Sequence, residues 1–231
     1  MKKLNDLYDY GLMIYQDSDY FKFSLDSILL SEYTKLHKND KVIDLCTGNA
    51  PVPMILSTKY ENEIVGIELQ KKIYELAIES IIYNKLENQI KIVNDNVKNA
   101  KNYFPGNNFD VITCNPPYFR YNGKSLVNKD EKKSISRHEL FVNLSELVET
   151  ISYLIKDNGK IYMVYQAQRL LELSSELNKR NIFIKEIYFV ITNDTNSINI
   201  VLIKAIQGAK SDTKVKYLDV RNLKTYKNID W

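Results

Sequence analysis

The sequence predicts an α/β fold, a seven-stranded mixed sheet with helices on both faces and an antiparallel last strand, and three observations carry that prediction. From about Lys41 onward, short apolar runs alternate with segments of helical periodicity, the pattern of a parallel sheet covered on both faces. The last two strand-like runs are separated only by Thr192-Asn193-Asp194-Thr195-Asn196, short enough for a hairpin, which turns the final strand antiparallel. The chain of 231 residues, 44% hydrophobic, is long enough for one α/β domain with small additions and builds a sizeable core.

The elements follow in order. Leu12 to Phe23 reads as a small hairpin turning at Asp17-Ser18-Asp19, and Leu25 to His37 as a helix with Leu25, Ile28, Leu29 and Leu36 apolar. Lys41 to Leu45 is the first core strand. The helix from Pro51 to Lys59 follows it, with Pro51 at the first helical position, where a missing N–H costs nothing. Ile64 to Ile67 is the second strand, and Lys71 to Asn84 a helix with Ile73, Leu76, Ala77, Ile81 and Ile82 on one face. Ile90 to Val93 is the third strand. Phe109 to Cys114 is the fourth, after the turn Pro105-Gly106-Asn107-Asn108. A loop of roughly twenty residues runs to about Arg137, long enough to suggest a functional role. Leu140 to Ile155 is helical, Asp157-Asn158-Gly159 ends it, and Lys160 to Tyr165 is the fifth strand. A helix from about Gln168 to Asn178 precedes the strands Phe183 to Ile191 and Ile198 to Ile206. The division expected is 1–37 as a hairpin and helix on the core, 38–208 as the central domain and 209–231 as a basic extension, in which Val215 to Val220 is strand-like.

The loop after the fourth strand, Asn115-Pro116-Pro117-Tyr118, lies at the strand C-termini, where open α/β sheets bind ligands. Two prolines fix their own φ angles and restrict the residue before them, so the Asn115 carboxamide and the Pro116 carbonyl become rigid acceptors beside an aromatic face. A planar amine such as adenine's exocyclic nitrogen is a poor nucleophile because its lone pair is delocalised. Acceptors for its N–H bonds strengthen as positive charge develops in the transition state. No side chain has to act as a strong base. The bland alternative is a Pro-Pro turn that merely ends a strand.

Asp44-Leu45-Cys46-Thr47-Gly48-Asn49-Ala50-Pro51 is a strand, tight turn and helix start, and it resembles the Asp-x-Gly-x-Gly-x-Gly loop that holds S-adenosylmethionine. Cys46 and Ala50 stand where glycines are usual, and Gly48 alone keeps the freedom for close backbone approach. Glu68 follows Gly48 by about twenty residues at the end of the second strand, the separation at which an acid bonds ribose hydroxyls. Asp95, just after the third strand, is placed to accept from the cofactor's adenine amine or to cap a helix. A dinucleotide is disfavoured, because the glycine spacing for a pyrophosphate is missing.

Charge is lopsided around a net of +3. Arg120, Lys124, Lys129, Lys132, Lys133 and Arg137 face only Asp130 and Glu131 between 120 and 137, and a second basic excess lies between Lys204 and Trp231. Basic charge collected in one loop and in the tail is a polyanion footprint, or else a solvated lysine-rich surface. Cys46 and Cys114 are the only cysteines and His37 and His138 the only histidines, without the spacing of zinc ligands, so no metal is predicted. The cysteines read as buried thiols that become neighbours if their strands pair. No run approaches membrane-spanning length, and the start turns acidic before a signal-peptide core, which predicts a cytoplasmic protein.

The strand order, the crevice and both motifs resemble class I methyltransferases. Ile14 to Phe21 leading to Leu25-Asp26-Ser27-Ile28-Leu29-Leu30, Asp44 to Asn49, Asn115 to Phe119 and Ser136-Arg137-His138-Glu139 are similar to the family of adenine-N6 methyltransferases that modify position 37, beside the anticodon, of a valine-accepting tRNA. The resemblance spans Ile14 to about Ile206. It implies that Asn115, Pro116, Pro117 and Tyr118 form the catalytic loop and that Asp44, Cys46, Thr47, Gly48, Glu68, Asp95 and Asn115 surround S-adenosylmethionine. It also implies that Tyr118, Phe119, Arg120, Lys124 and Arg137 meet the substrate. The partner implied is the anticodon stem-loop of a tRNA, met by a monomer. Chain economy points the same way, since some forty residues before Asp44 leave no room for the helical substrate domain of a release-factor glutamine methyltransferase. Glutamine methylation of a protein and a non-catalytic RNA-binding module remain as alternatives. Asp26 and His138 have no assigned role.

Overall fold

The structure, a computed structural model, describes residues 1–18, 20, 24–117, 143–192, 198–210, 212–221, 223, 225–227, 229 and 231. Its centre is an eight-stranded sheet. In chain order the strands of that sheet are β3 (Val42–Leu45), β4 (Ile64–Glu68), β5 (Ile90–Asn94), β6 (Phe109–Cys114), β7 (Ile155–Gln166), β8 (Ile182–Ile191), β9 (Ile198–Gln207) and β10 (Lys214–Asp219). Across the sheet they run β10-β8-β9-β7-β6-β3-β4-β5. Only β9 is antiparallel to its neighbours, as the short 192–196 connection requires. The sheet therefore has eight strands where the sequence predicted seven. The added strand, β10, pairs in parallel along β8 from Lys214↔Glu186 to Asp219↔Ile191. It satisfies the N–H and C=O groups that β8 would otherwise leave at an open edge.

Alternation along the strands sends side chains to two faces, each with its own helical layer. On one face Ile43, Leu45, Ile112, Ile161 and Met163 pack with Leu147, Val148, Ile151 and Leu154 of helix α4 (Leu144–Leu154) and Leu173 and Leu177 of α5 (Leu170–Lys179). On the other, Val42, Val111, Tyr162 and Val164 meet α1 (Leu25–Tyr33) and α2 (Pro51–Ser57) through Leu29, Leu30, Tyr33, Val52 and Leu56. Helix α3 (Lys71–Tyr83) joins a third cluster through Ala77 and Ile81. Asn143 starts α4 with a reciprocal capping box to Glu146, which fixes the described start of that helix four residues beyond the predicted Leu140.

Three boundaries differ from the sequence expectation for local reasons. The strand β2 (Met13–Asp17) pairs backwards with β1 (Lys2–Asp6), in register Leu4↔Tyr15, and the return strand expected after Asp17-Ser18-Asp19 falls on residues 21–23, which with Asp19 lie outside the described residues. The other edge of β2 is held by side chains of α3: the Ser80 hydroxyl accepts from the Tyr15 N–H at 2.9 Å, and the Asn84 carboxamide both accepts from and donates to the Met13 backbone. Helix α1 stops at Tyr33, since Thr34 turns extended and spends both its N–H and its hydroxyl on the Leu30 carbonyl. Asp157-Asn158-Gly159 is a bulge inside β7, with pairing to β6 shifting from Phe109↔Ile155 to Val111↔Lys160 and Asn158 at φ +60°.

Candidate active site

Parallel pairing of β3 with β6 decides where the two motifs meet. The register sets Asp44 beside Thr113 and Leu45 beside Cys114. The turn leaving β3 and the loop leaving β6 therefore emerge side by side, about one strand spacing, ~4.8 Å, apart.

The turn after β3 keeps a glycine-like backbone without the glycines. Cys46, Gly48 and Ala50 sit at φ +59°, +60° and +67°, alternating left-handed residues that only glycine adopts without strain, roughly 1–2 kcal/mol for each of the other two. Ala50 N donates to the Thr47 carbonyl and Thr47 N to Ile67 of β4, both at 3.0 Å, so the turn is tied to the sheet. A side chain added at Gly48 would meet nothing within 4 Å, the open space a ligand lying along the turn requires. At Gly66 beneath it a Cβ would lie 2.7 Å from Ile92 and 2.9 Å from Thr47.

Asp44 is 2% exposed. Its two oxygens accept one hydroxyl each, from Thr47 and Thr113, both at 2.6 Å. Burial pushes its carboxyl up to about 7, against the downward pull of those hydroxyls and with a smaller upward push from the Glu68 charge. Glu68, also buried, accepts from Gly48 N at 2.9 Å and from Gln70 N at 2.8 Å. Burial raises its carboxyl too, opposed by those backbone donors. Glu68 therefore buttresses the turn directly, with lone pairs left for further donors.

Asp95 lies past β5, half-buried. It does not cap the 3₁₀ turn Val97–Asn102; Asn96 does, accepting from Lys98 N. The Asp95 carboxylate instead accepts from Asn96 N at 2.6 Å, the Asn99 amide at 2.8 Å and the Tyr103 hydroxyl at 2.7 Å. The Tyr103 hydroxyl, then Asn99, hold its carboxyl below the usual range.

On the β6 side, Pro116 is buried and Asn115 half-buried. The Asn115 amide nitrogen donates to the Ser27 hydroxyl of α1 at 3.1 Å. The two cysteines are neighbours, as strand pairing requires: burial, first, and then the Cys46 thiol push the Cys114 thiol well up. Both are free thiols. No group of His, Cys, Asp and Glu that could hold a metal occurs among the described residues. Among them, no helix is long and apolar enough to cross a membrane.

A family model described as a methyltransferase domain matches residues 36–222, spanning both motifs and most of the sheet. The chain belongs to this methyltransferase domain family. Similar curated proteins are each named tRNA1(Val) (adenine(37)-N6)-methyltransferase. The one from Bacteroides fragilis is 25% identical over 65% of this chain and 62% of its own length. That from Shewanella woodyi is 24% identical over 71% and 68%, and that from Cytophaga hutchinsonii 20% over 82% and 78%. The match thus spans about three fifths of the Bacteroides protein. Among solved structures, a predicted O-methyltransferase, Atu636 of Agrobacterium tumefaciens, superposes with a TM-score of 0.62 at 16% identity, covering 84% of this chain and 86% of that one. M. jannaschii TYW2 in complex with AdoMet superposes at 0.58 and 13%, covering 89% and 84%. The likeness establishes the Rossmann-like fold of class I methyltransferases.

In this methyltransferase domain the structure brings Asp44, Cys46, Thr47, Gly48, Glu68 and Asn115 to one end of β3, β4 and β6. Asp95 stands at the end of the next strand, with Asp95 N bonded to the Glu68 carbonyl at 3.1 Å. Tyr118, Phe119, Arg120, Lys124, Arg137 and His138 lie outside the described residues. Asp26 sits in the first turn of α1, where burial raises its carboxyl. Thr113, Asn49 and Ser27 were not predicted. Thr113 had a signal, a polar residue inside an apolar strand at the same depth as Asp44. Asn49, 5% exposed, donates to the Tyr15 carbonyl at 3.0 Å and so ties the turn to the N-terminal hairpin. Ser27 lies in the family-like Leu25 to Leu30 stretch, but its contact joins residues 88 apart in sequence.

Proposed function

We propose that this chain transfers a methyl group from S-adenosylmethionine to the N6 amine of an adenine in tRNA, adenine 37 beside the anticodon. The observation that carries the reading is the emergence of Asn115-Pro116-Pro117 from β6 directly beside the Cys46–Ala50 turn from β3. The names of the curated relatives support the choice of adenine and of tRNA.

The site fits the cofactor through the open space over Gly48, the positive-φ turn and the acid at the end of β4. S-adenosylmethionine supplies, when bound, an electrophilic methyl on a sulfonium. Gly48 and its neighbours Cys46 and Thr47 line its approach, Glu68 accepts from ribose hydroxyls and Asp95 from the adenine amine. Asp44 holds the turn from below through Thr47.

The Asn115 carboxamide oxygen and the Pro116 carbonyl accept the two N–H bonds of the target amine. They favour the pyramidal nitrogen that attacks, and their hold strengthens as positive charge builds. Tyr118 stacks on the target ring, with Phe119 beside it. Arg120, Lys124 and Arg137 bind phosphates of the anticodon stem-loop, where an unstacked base leaves its stack at little cost. The protein acts as a cytoplasmic monomer, with residues 38–208 as the catalytic domain, 1–37 packed on it and 209–231 as an extension along the sheet edge. The test is incubation with labelled S-adenosylmethionine and separate tRNA, ribosomal RNA and protein fractions. Label in tRNA supports the reading. Label in protein alone replaces it with glutamine methylation, and no label anywhere leaves an RNA-binding module.

A further inference from the structure

The chain's only two cysteines flank its two reactive segments. Cys46 is the first residue after β3, immediately before Thr47, and Cys114 is the last of β6, immediately before Asn115. We propose that they form an oxidation site, at which a hydroperoxide converts the two thiols into a reversible disulfide that ties the cofactor turn to the catalytic loop and stops methyl transfer. The effect on turnover rests on the reading of these segments as cofactor turn and catalytic loop; formation of the bond does not.

Strand pairing sets the distance. Leu45 lies opposite Cys114 in the parallel register of β3 and β6, so Cys46 stands one residue further along the neighbouring strand. A strand spacing of ~4.8 Å and a rise of ~3.3 Å put the two Cα atoms roughly 6 Å apart. That lies inside the ~4.4–6.8 Å that a disulfide spans. The turn sets the direction. Were β3 to continue, Cys46 would point to the face opposite Leu45, yet Leu45, Cys114 and Cys46 all pack in one apolar cluster. The left-handed backbone of Cys46, φ +59°, is where the chain leaves the strand and allows this change of side. Its thiol is within hydrogen-bonding reach of Cys114, whose own thiol is held well up by burial and then by this contact. Glycine would adopt the same backbone without strain. A thiol kept there is the kind of strained residue that concentrates at functional sites.

Unequal exposure assigns the roles. Cys46 is half-buried and Cys114 is 0% exposed, both as free thiols, so the oxidant meets Cys46 first. Its sulfur attacks a peroxide oxygen: an S–O bond forms, the O–O bond breaks, and the Cys46 proton leaves on the departing oxygen as water or an alcohol. The Cys114 sulfur then attacks that of Cys46. An S–S bond forms, the S–O bond breaks, and the Cys114 proton leaves with the hydroxyl as water. Two electrons have passed from the thiols to one peroxide, and exchange with an external dithiol reverses the bond. Bonded sulfurs sit well inside their contact distance, so the turn and the end of β6 are drawn together. In a transfer that depends on alignment, a displacement of about 1 Å costs about 10²-fold.

The experiment treats the reduced chain with hydrogen peroxide, alkylates the remaining thiols and maps its peptides without reductant. Expected are a cross-linked peptide joining Cys46 to Cys114, a kcat lower by at least about tenfold, and return of the untreated rate after dithiothreitol. Cys114→Ser removes the second thiol; it should give no cross-link and leave Cys46 as a sulfenic acid that dimedone captures, where the parent captures little. Thiols that stay free, or that oxidise without this cross-link, overturn the proposal, as does a cross-linked chain with unchanged kcat. Where melting shows that Cys114→Ser does not fold, the parent's peptide map and its reversal by dithiothreitol decide. If the reduced chain methylates no RNA or protein, the functional reading fails, and the peptide map still decides the disulfide.

Discussion

Replacing Thr113 by Val removes one hydroxyl from beneath the cofactor turn and keeps the shape and β-branching of the strand. Thr113 is fully buried and donates at 2.6 Å to Asp44, itself 2% exposed. The lost bond is worth about 1.5–3 kcal/mol when Asp44 is ionised and about 1 kcal/mol or less when it is protonated. The variant's deficit therefore grows with pH. Asp44 has a carboxyl pushed from 3.8 up to about 7, so the native protein holds a proton between about pH 4 and 7 that the unfolded chain has released. Stability from this group is accordingly lost as pH rises through that window, by up to ~4 kcal/mol. Without the Thr113 donor the native carboxyl rises by about one further unit, and the loss continues to about pH 8. The two proteins should run nearly parallel at pH 6 and differ by about 2 kcal/mol at pH 8.5, a melting difference of about 4–8 °C for a chain of this size. Glu68, also raised by burial, contributes to both curves and largely cancels in the difference. Urea denaturation at the two pH values measures it. An equal deficit at pH 6 and 8.5, or one below about 0.5 kcal/mol at pH 8.5, refutes the account of Asp44 as a buried carboxylate held by hydroxyls.

Asn115→Ala should lower kcat about 10²- to 10³-fold, the usual effect of deleting one preorganised transition-state hydrogen-bonding group, with cofactor Kd within about threefold; turnover assays and calorimetric titration separate the two. Gly66→Ala drives a methyl to 2.7 Å from Ile92 and 2.9 Å from Thr47, so it should destabilise the fold by about 1–3 kcal/mol and weaken cofactor binding through Thr47, both read by melting with and without S-adenosylmethionine. Changing Lys124, Lys129, Lys132 and Lys133 to Glu should weaken tRNA binding and flatten the dependence of log K on log salt, measured by filter binding across a salt series.

How much of this was legible depended on where each element finds its partner. Apart from β7, which begins at Ile155 and not at the predicted Lys160, the core strands were found within a residue or two, and β6 at both ends, because strands buried on both faces read as continuous apolar runs. Asp44, Gly48 and Glu68 were legible from local chemistry: a strand, a turn and an acid at a fixed distance. The pairing of β2 with Lys2–Asp6 was missed because that segment has a mostly exposed, polar surface, which leaves no hydrophobic pattern to detect, although its Lys2 ammonium lies over the Tyr15 ring. The eighth strand was visible only as a β-rich tail, since its place beside β8 is decided by an open edge elsewhere in the sheet. The cofactor turn departs from a glycine-rich pattern in sequence yet keeps its backbone, because Cys46 and Ala50 are held at positive φ by the Thr47, Ile67 and Glu68 bonds around them. The contact of Ser27 with Asn115 depends on packing between distant segments, and no local signal announces it.

The central claim is that the loop leaving β6 presents an adenine amine of tRNA for methylation beside the turn leaving β3. The direct measurement is digestion of tRNA labelled by the purified protein to nucleosides, followed by chromatography and mapping of the labelled position. The account predicts N6-methyladenosine as the sole labelled nucleoside, at position 37, and its loss with Asn115→Ala. Label in guanosine, in a ribose, or in protein glutamine with none in tRNA contradicts it.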